Sequence, residues 1–389
     1  MIERLKSLRD SLGLKDIKIA MLCGSYPSRE KPYSGFFHSL ARVYKELFPL
    51  SVFVPGESEE YEYDGVKVKR RSPPEIYKEI ASFKPDILLV MPVYPPSLLN
   101  LASYIRERLS IPRITFPIGI ADAFYTPFYY YQLYGKIPKN AIVMEFVRMH
   151  HLRRYIKRGD ELGDFIVHPS NWQKVACERS TLYKPRNVRI IPFPVDTRIF
   201  QFQPRQGRVE KLICVRPHSV RKYGVDLVIK ASRGKYKTDI YGEGPLLIRH
   251  MALARRLRAN VEFFPKFFTT HRDFAEACYR YQMGLMFTRA DTQGVTVCEM
   301  QATGLPVITS SVWAVPEFAT GGTILLKNYE VEKTEQIIDE INEKGILEEL
   351  SWKAYTGIVE KCGLEKVMKE HLSLFSELLN GKKAFAHTS

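Results

Sequence analysis

The residue types and spacings best suited to chemistry in this 389-residue chain lie between Thr288 and Ser311, TRADTQGVTVCEMQATGLPVITSS. Asp291 and Glu299 stand eight residues apart with Gly294 between them. The pattern reads as an apolar strand end, a polar turn, a short helix beginning at Val295, a stop at Gly304 and Pro306, and a new strand. The first amides of that helix, on Gly294, Val295 and Thr296, have no acceptor within the helix and suit an anion. Gly294 has no Cβ, so the backbone there can approach a phosphate closely. Glu299, one turn into the helix, can accept two sugar hydroxyls, and Asp291 at the strand end can hold a second sugar. The set suits a sugar diphosphate. An ordinary strand-to-helix loop with solvated acidic caps fits the spacing equally well.

A second candidate loop, Arg216-Pro-His-Ser-Val-Arg-Lys-Tyr-Gly224, follows the apolar run Lys211 to Val215. Arg216, with Arg221 or Lys222, can hold a diphosphate from two sides, Arg as a planar fork and Lys as a point charge. Surface cations on a plain turn are the simpler reading. Gly35 stands at a third strand–loop–helix junction, where it serves a ligand or is only a turn glycine. The elements that must position these loops alternate along the chain. Apolar runs at Ile17 to Cys23, Leu50 to Val54, Ile87 to Met91, Ile111 to Phe116, Lys211 to Val215, Thr238 to Tyr241, Val261 to Phe264 and Pro306 to Thr309 read as strands. Helical periodicity lies between them, as at Phe36, Phe37, Leu40, Val43, Tyr44 and Leu47. Alternation of this kind implies α/β architecture with two doubly wound, Rossmann-like domains, whose ligands bind beyond the carboxyl ends of the strands.

The stretch from Asp291 to Ser310 resembles the signature of glycosyltransferase family 4. Glu299, Gly294, Gly304, Pro306, Val307 and Ile308 fit it, while Asp291 stands for Glu and Thr292 for Gly. Lys84-Pro-Asp86 with the strand after it, the interdomain segment Arg189 to Phe200, the Arg216 loop and the Gly242-Glu-Gly-Pro245 turn are similar to further landmarks. The resemblance implies a GT-B fold, with two domains facing across a cleft. It also implies a metal-independent, hexosyltransferase-type enzyme that moves a sugar from a nucleoside diphosphate sugar to a carbohydrate, lipid-linked or protein acceptor with retention of configuration, and needs no cofactor. On that reading Arg216, Arg221 and Asp291 are catalytic. Gly35, Lys222, Lys266, Gly294, Val295, Thr296 and Glu299 bind the donor, Lys266 or Phe267 at the base. A nucleotide-sugar epimerase, a phosphorylase, or a non-catalytic nucleic-acid- or membrane-binding protein on a decayed transferase fold are the alternatives.

The expected domains are residues 1–198 on the acceptor side and 199–365 on the nucleotide-sugar side. A hinge falls at the prolines before Gln201, and a terminal helix, 366–389, returns to the first domain. Net charge is +15, which points to acidic partners such as nucleotide sugars or a phospholipid surface, or to a solvated Lys/Arg-rich exterior. Nucleic acid is not the expected partner. The six cysteines form no C-x-x-C pair, so buried free thiols and no metal are expected. The charged N-terminus and the lack of a run of ~20 apolar residues suggest a cytoplasmic protein, in contact with the inner membrane surface if Met149 to Arg158 grips anionic lipid. The aromatic cluster Phe124 to Tyr134 is an acceptor platform or a flat packing surface of the first domain.

Overall fold

A computed structural model describes residues 1–28, 36–91, 96–117 and 126–386. The chain divides into two compact units, 1–124 with 143–194 and 365–389, and 125–142 with 195–364. The dividing points therefore differ from the sequence expectation by a few residues. The segment 125–142, expected in the first domain, groups with the second unit.

In the first unit the strands are β1 (Ile19–Cys23), β2 (Leu50–Pro55), β3 (Glu59–Tyr63), β4 (Val66–Arg71), β5 (Ile87–Met91), β6 (Arg113–Thr115), β7 (Phe165–His168) and β8 (Val188–Ile190). They form one sheet in the order β3-β4-β2-β1-β5-β6-β7-β8. Every pairing is parallel except β3 with β4. β1 and β5 are buried along their whole length, as strands covered on both faces must be. Ser72 and Glu75 form a capping box that starts helix Pro73–Phe83, satisfying amides that the helix leaves unpaired. The last helix, Leu364–Ala386, belongs to this unit from Glu365 onward. Its stripe of Val367, Met368, His371, Leu372 and Phe375 is buried, with His371 and Phe375 against Tyr44.

The second unit holds β9 (Lys211–Val215), β10 (Lys237–Tyr241), β11 (Val261–Phe264), β12 (Met283–Met286), β13 (Val307–Ser310) and β14 (Thr323–Leu326). They pair in parallel in the order β11-β10-β9-β12-β13-β14. The chain builds outward from β9 to β11, then returns to lay β12 on the other side of β9. That reversal is a topological switch point, where parallel sheets open a crevice at the carboxyl ends of their strands. The two candidate loops follow β9 and β12, the strands that flank it. All six cysteines are buried free thiols. No helix among the described residues is long and apolar enough to cross a membrane.

Candidate active site

Arg216 is the first residue beyond β9. Its amide donates to Tyr241 O at 3.0 Å, carrying the β9–β10 register one step past the strand. The guanidinium is 5% exposed. One Nη donates to the carbonyl of Met286, the last residue of β12, at 3.2 Å, and the other lies 3.6 Å from Asp291 Oδ2. The buried Nε has no acceptor among the described residues. A buried charged donor without an acceptor is costly, which makes this the part of the loop most in need of a ligand.

Asp291 shapes its own loop as well as facing Arg216. Its Oδ1 accepts the amide of Gly294 at 2.9 Å and that of Gln293 at 3.4 Å. The Gly294 amide, expected to be open for an anion, is therefore taken by a carboxylate three residues earlier in the chain. Val295 and Thr296, the first helical residues, keep amides with no acceptor in the helix. Gly294 has φ +76° and ψ 50°, a left-handed conformation that glycine enters without penalty.

Glu299 points from the first turns of helix Val295–Ala302 and is buried. Burial pushes its carboxyl up to about 8, because a charge is poorly solvated there. His271 Nε2 lies 3.6 Å from its Oε1. His271 opens helix His271–Cys278, which Thr270 and Asp273 cap. The capping pattern Thr270-His-Arg-Asp273 is visible in the sequence, but the meeting of His271 with Glu299 is not.

Arg221 and Lys222 occupy a short 3-10 turn, Arg221–Tyr223. The Arg221 guanidinium sits over the ring of Tyr131, 5.2 Å from its centroid, and Lys222 Nζ lies 5.3 Å from that of Tyr223. Neither has a carboxylate partner among the described residues. Tyr131 comes from helix Pro127–Tyr134, so this part of the aromatic run, expected in the first domain, groups with the second unit and packs on its cation loop; Phe124 and Tyr125 lie outside the described residues. The carbonyls of Arg221 and Lys222 strap this turn to the other loop: they accept from Arg289 Nη1 at 2.7 Å and the Arg289 amide at 2.8 Å. Arg289 in turn forks onto Asp226 at 2.8 and 2.7 Å. Lys266 is exposed in the turn after β11, two strand positions and roughly 10 Å sideways from β9; the structure does not bring it to Arg216. Gly35 lies outside the described residues.

Sequence reasoning missed a histidine pair beneath the loop. His218 Nδ1 meets His250 Nδ1 at 2.9 Å, and both rings are buried. Burial holds His218 down to about 4, so the ring is neutral. The Gly242-Glu-Gly turn closes over the same backbone. A Cβ on Gly242 would come within 2.0 Å of Arg216 O, which only glycine avoids. Among the described residues no cluster of His, Cys, Asp or Glu could hold a metal ion.

Residues 213–343 match the family model of Glycosyl transferases group 1. A candidate glycosyltransferase, number 45, of a Sulfolobus islandicus filamentous virus is 28% identical over 158 residues, which are 39% of this chain and 44% of that protein. The chain thus spans less than half the length of that relative. Among solved structures, sucrose-phosphate synthase from Thermosynechococcus elongatus aligns with TM-score 0.69 at 12% identity, over 94% of this chain and 100% of that one. A glycosyltransferase from Rickettsia africae gives 0.66 at 12%, over 94% and 99%. S. aureus TarM, solved with Fondaparinux, alpha-GlcNAc-glycerol and UDP, gives 0.61 at 14%, over 80% and 60%. The chain is thus similar to Glycosyl transferases group 1 over residues 213–343 and shares the GT-B architecture of solved glycosyltransferases.

Proposed function

We propose that the protein transfers a sugar from a nucleoside diphosphate sugar to an acceptor, a glycan, lipid or protein, with retention of anomeric configuration. The observation that carries this is the buried Arg216 guanidinium at the switch point, its Nε without an acceptor among the described residues and its Nη 3.6 Å from Asp291. A departing diphosphate gains negative charge as the glycosidic bond stretches, and a fixed, desolvated donor stabilises that charge strongly. Arg216 supplies it from β9, and the amides of Val295 and Thr296 supply it from the helix start beside β12. Arg221 or Lys222 adds a further cation from the strapped turn.

With cations and a helix end facing the diphosphate, the reading needs no metal. Asp291 orients Arg216 and offers Oδ2 to a donor hydroxyl, and Glu299 accepts the ribose hydroxyls. The glycosidic C1–O bond breaks as the acceptor oxygen bonds to C1. The acceptor proton passes to the leaving phosphate oxygen, so no separate base is required. UDP in solved TarM, and UDP with GlcNAc in a pneumococcal O-GlcNAc transferase that aligns with TM-score 0.56, support a uridine donor as the first to try. A panel of nucleoside diphosphate sugars, followed by mass spectrometry for donor hydrolysis and transfer, tests the reading. Release of one nucleoside diphosphate, lowered by roughly 100-fold or more in Arg216→Ala, is expected. No turnover of any donor, together with no thermal shift from any nucleoside diphosphate, overturns it.

A further inference from the structure

Helix Pro127–Tyr134 carries no charged residue, yet it is built onto the cation loop of the second unit. Thr126 starts it by accepting the Tyr129 amide at 3.3 Å, and Gly135 ends it in the left-handed conformation, φ +73°. Two features of this helix end converge on Arg221. The Tyr131 ring faces the guanidinium, whose centre is 5.2 Å from the ring centroid. One turn later a Cβ on Gly135 would lie 2.9 Å from Arg221 Cδ, so the bare Cα leaves room for the arginine stem. Positions i and i+4 share a helix face, and the Gly135 amide, donating to the Tyr131 carbonyl at 2.9 Å, keeps the two together. Among the described residues the Tyr131 hydroxyl has no hydrogen-bond partner. What meets the cation is the ring.

The helix is fixed on its other side as well. Tyr129 meets Trp313 edge to face, with ring centroids 6.1 Å apart. Trp313 lies in the loop after β13, and the amide of its neighbour Ala314 donates to the Asp291 carbonyl at 3.2 Å. Tyr129 and Tyr131 point about 200° apart around the axis, so together they span a helix width of about 10 Å. Two strand spacings, the distance from β9 to β13, are also about 10 Å. The helix therefore bridges the loops that follow β9 and β13, and the strand between them is β12, whose loop carries Asp291.

Arg221 is partly buried. Its carbonyl is held by Arg289 Nη1 and its guanidinium by Tyr131, so both ends of the residue are restrained. The Lys222 side chain has no such support from outside its turn, where its Nζ lies over the ring of its chain neighbour Tyr223. A ring face attracts a guanidinium without neutralising it, so the charge of Arg221 stays available to an anion. We propose that Tyr131 is a positioning residue for the donor site: it aims Arg221 at the diphosphate, which makes Arg221 rather than Lys222 the second phosphate cation. The inference rests on the glycosyl-transfer reading for its ligand and adds to it an element outside both phosphate loops.

Calorimetric titration of the full chain with UDP, GDP, ADP, CDP and dTDP finds the tightest-binding diphosphate, against which the variants are then compared. Tyr131→Leu should weaken its binding about five-fold, the size of a partly exposed cation–ring contact. Tyr131→Phe keeps the ring and should stay within about two-fold of the parent. Arg221→Gln should weaken binding about ten-fold, and Lys222→Gln only about two-fold. In the Arg221→Gln background Tyr131→Leu should cost nothing further, because two residues that act through one contact are not additive. Melting temperatures of the Tyr131 variants should match the parent, since the side chain is 53% exposed. An unchanged affinity in Tyr131→Leu, an equal loss in Tyr131→Phe, or independent losses in the double variant overturns the proposal and leaves the donor reading standing. So does a larger loss in Lys222→Gln than in Arg221→Gln. Binding of none of these diphosphates by the parent overturns both.

Discussion

Arg216 and Arg154 are both arginines from short basic runs, and the fold gives them opposite circumstances. Arg216 is buried at the end of a central strand, held by a carbonyl of the neighbouring strand and faced by Asp291. Arg154 is exposed on a helix face among other cations. The contrast shows that a cation becomes a site through the backbone that fixes it. A fixed, desolvated guanidinium acts on one ligand geometry, whereas an exposed, hydrated one acts through charge that salt screens.

The sharpest way to break this comparison is to remove Arg216. Arg216→Ala should lower kcat by roughly 100- to 1000-fold, about 3–4 kcal/mol of transition-state stabilisation, measured as steady-state release of nucleoside diphosphate. A fall of only a few-fold would put Arg216 on a level with the surface cations.

Glu299 offers the next largest effect, and its sign depends on pH. Its folded-state titration is raised from 4.5 to about 8. Below 4.5 the folded and unfolded chains both carry the proton and burial adds no penalty. Between those values the unfolded chain releases the proton while the folded chain keeps it, so stability falls as pH rises. Above about 8 the full penalty remains. Glu299→Gln should therefore leave the melting temperature near pH 4 unchanged and raise stability by on the order of 2 kcal/mol at pH 9. Equal melting curves at both pH values would show that the carboxylate is well solvated. The same variant should weaken nucleoside diphosphate binding, which separates the site's function from its cost to stability.

Gly294→Ala comes third. The left-handed backbone should cost about 1 kcal/mol, read as a lower melting temperature, with weaker donor binding because the amides of Val295 and Thr296 shift. An alanine that leaves both measurements unchanged would remove the helix start from the diphosphate site. The smallest effect belongs to the other side of the comparison. Arg153→Gln should change stability by less than about 0.5 kcal/mol and leave donor turnover untouched. A larger effect on turnover would give the exposed run a role in the reaction.

Most of the architecture could be read from the chain, because buried parallel strands appear as short unbroken apolar runs such as Ile87 to Met91. β3 escaped notice. Its sequence, Glu59-Glu-Tyr-Glu-Tyr63, is that of a charged edge strand with no apolar run. The candidate site was legible in its parts, because the acids, the Gly294 turn and the cations that now lie near one another are each local features of the chain. Their partnerships were not, because each depends on which strands become neighbours. Asp291 meets Arg216 only because β12 returns to the side of β9. The capture of the Gly294 amide by Asp291 is a matter of side-chain rotamer, which spacing does not fix. His271 reaches Glu299 across two helices, and the aromatic run at Tyr131 joins the second unit although it lies early in the chain.

The contact between His218 and His250 binds the two rings to a common hydrogen. One Nδ1 must carry it and the other must receive it, so each imidazole dictates the tautomer of its companion. Helix Leu247–Leu257, on which His250 rides, thereby governs the setting of a residue two places beyond Arg216. A substitution of His250 therefore reaches the backbone of the Arg216 loop through His218, without meeting the candidate site directly.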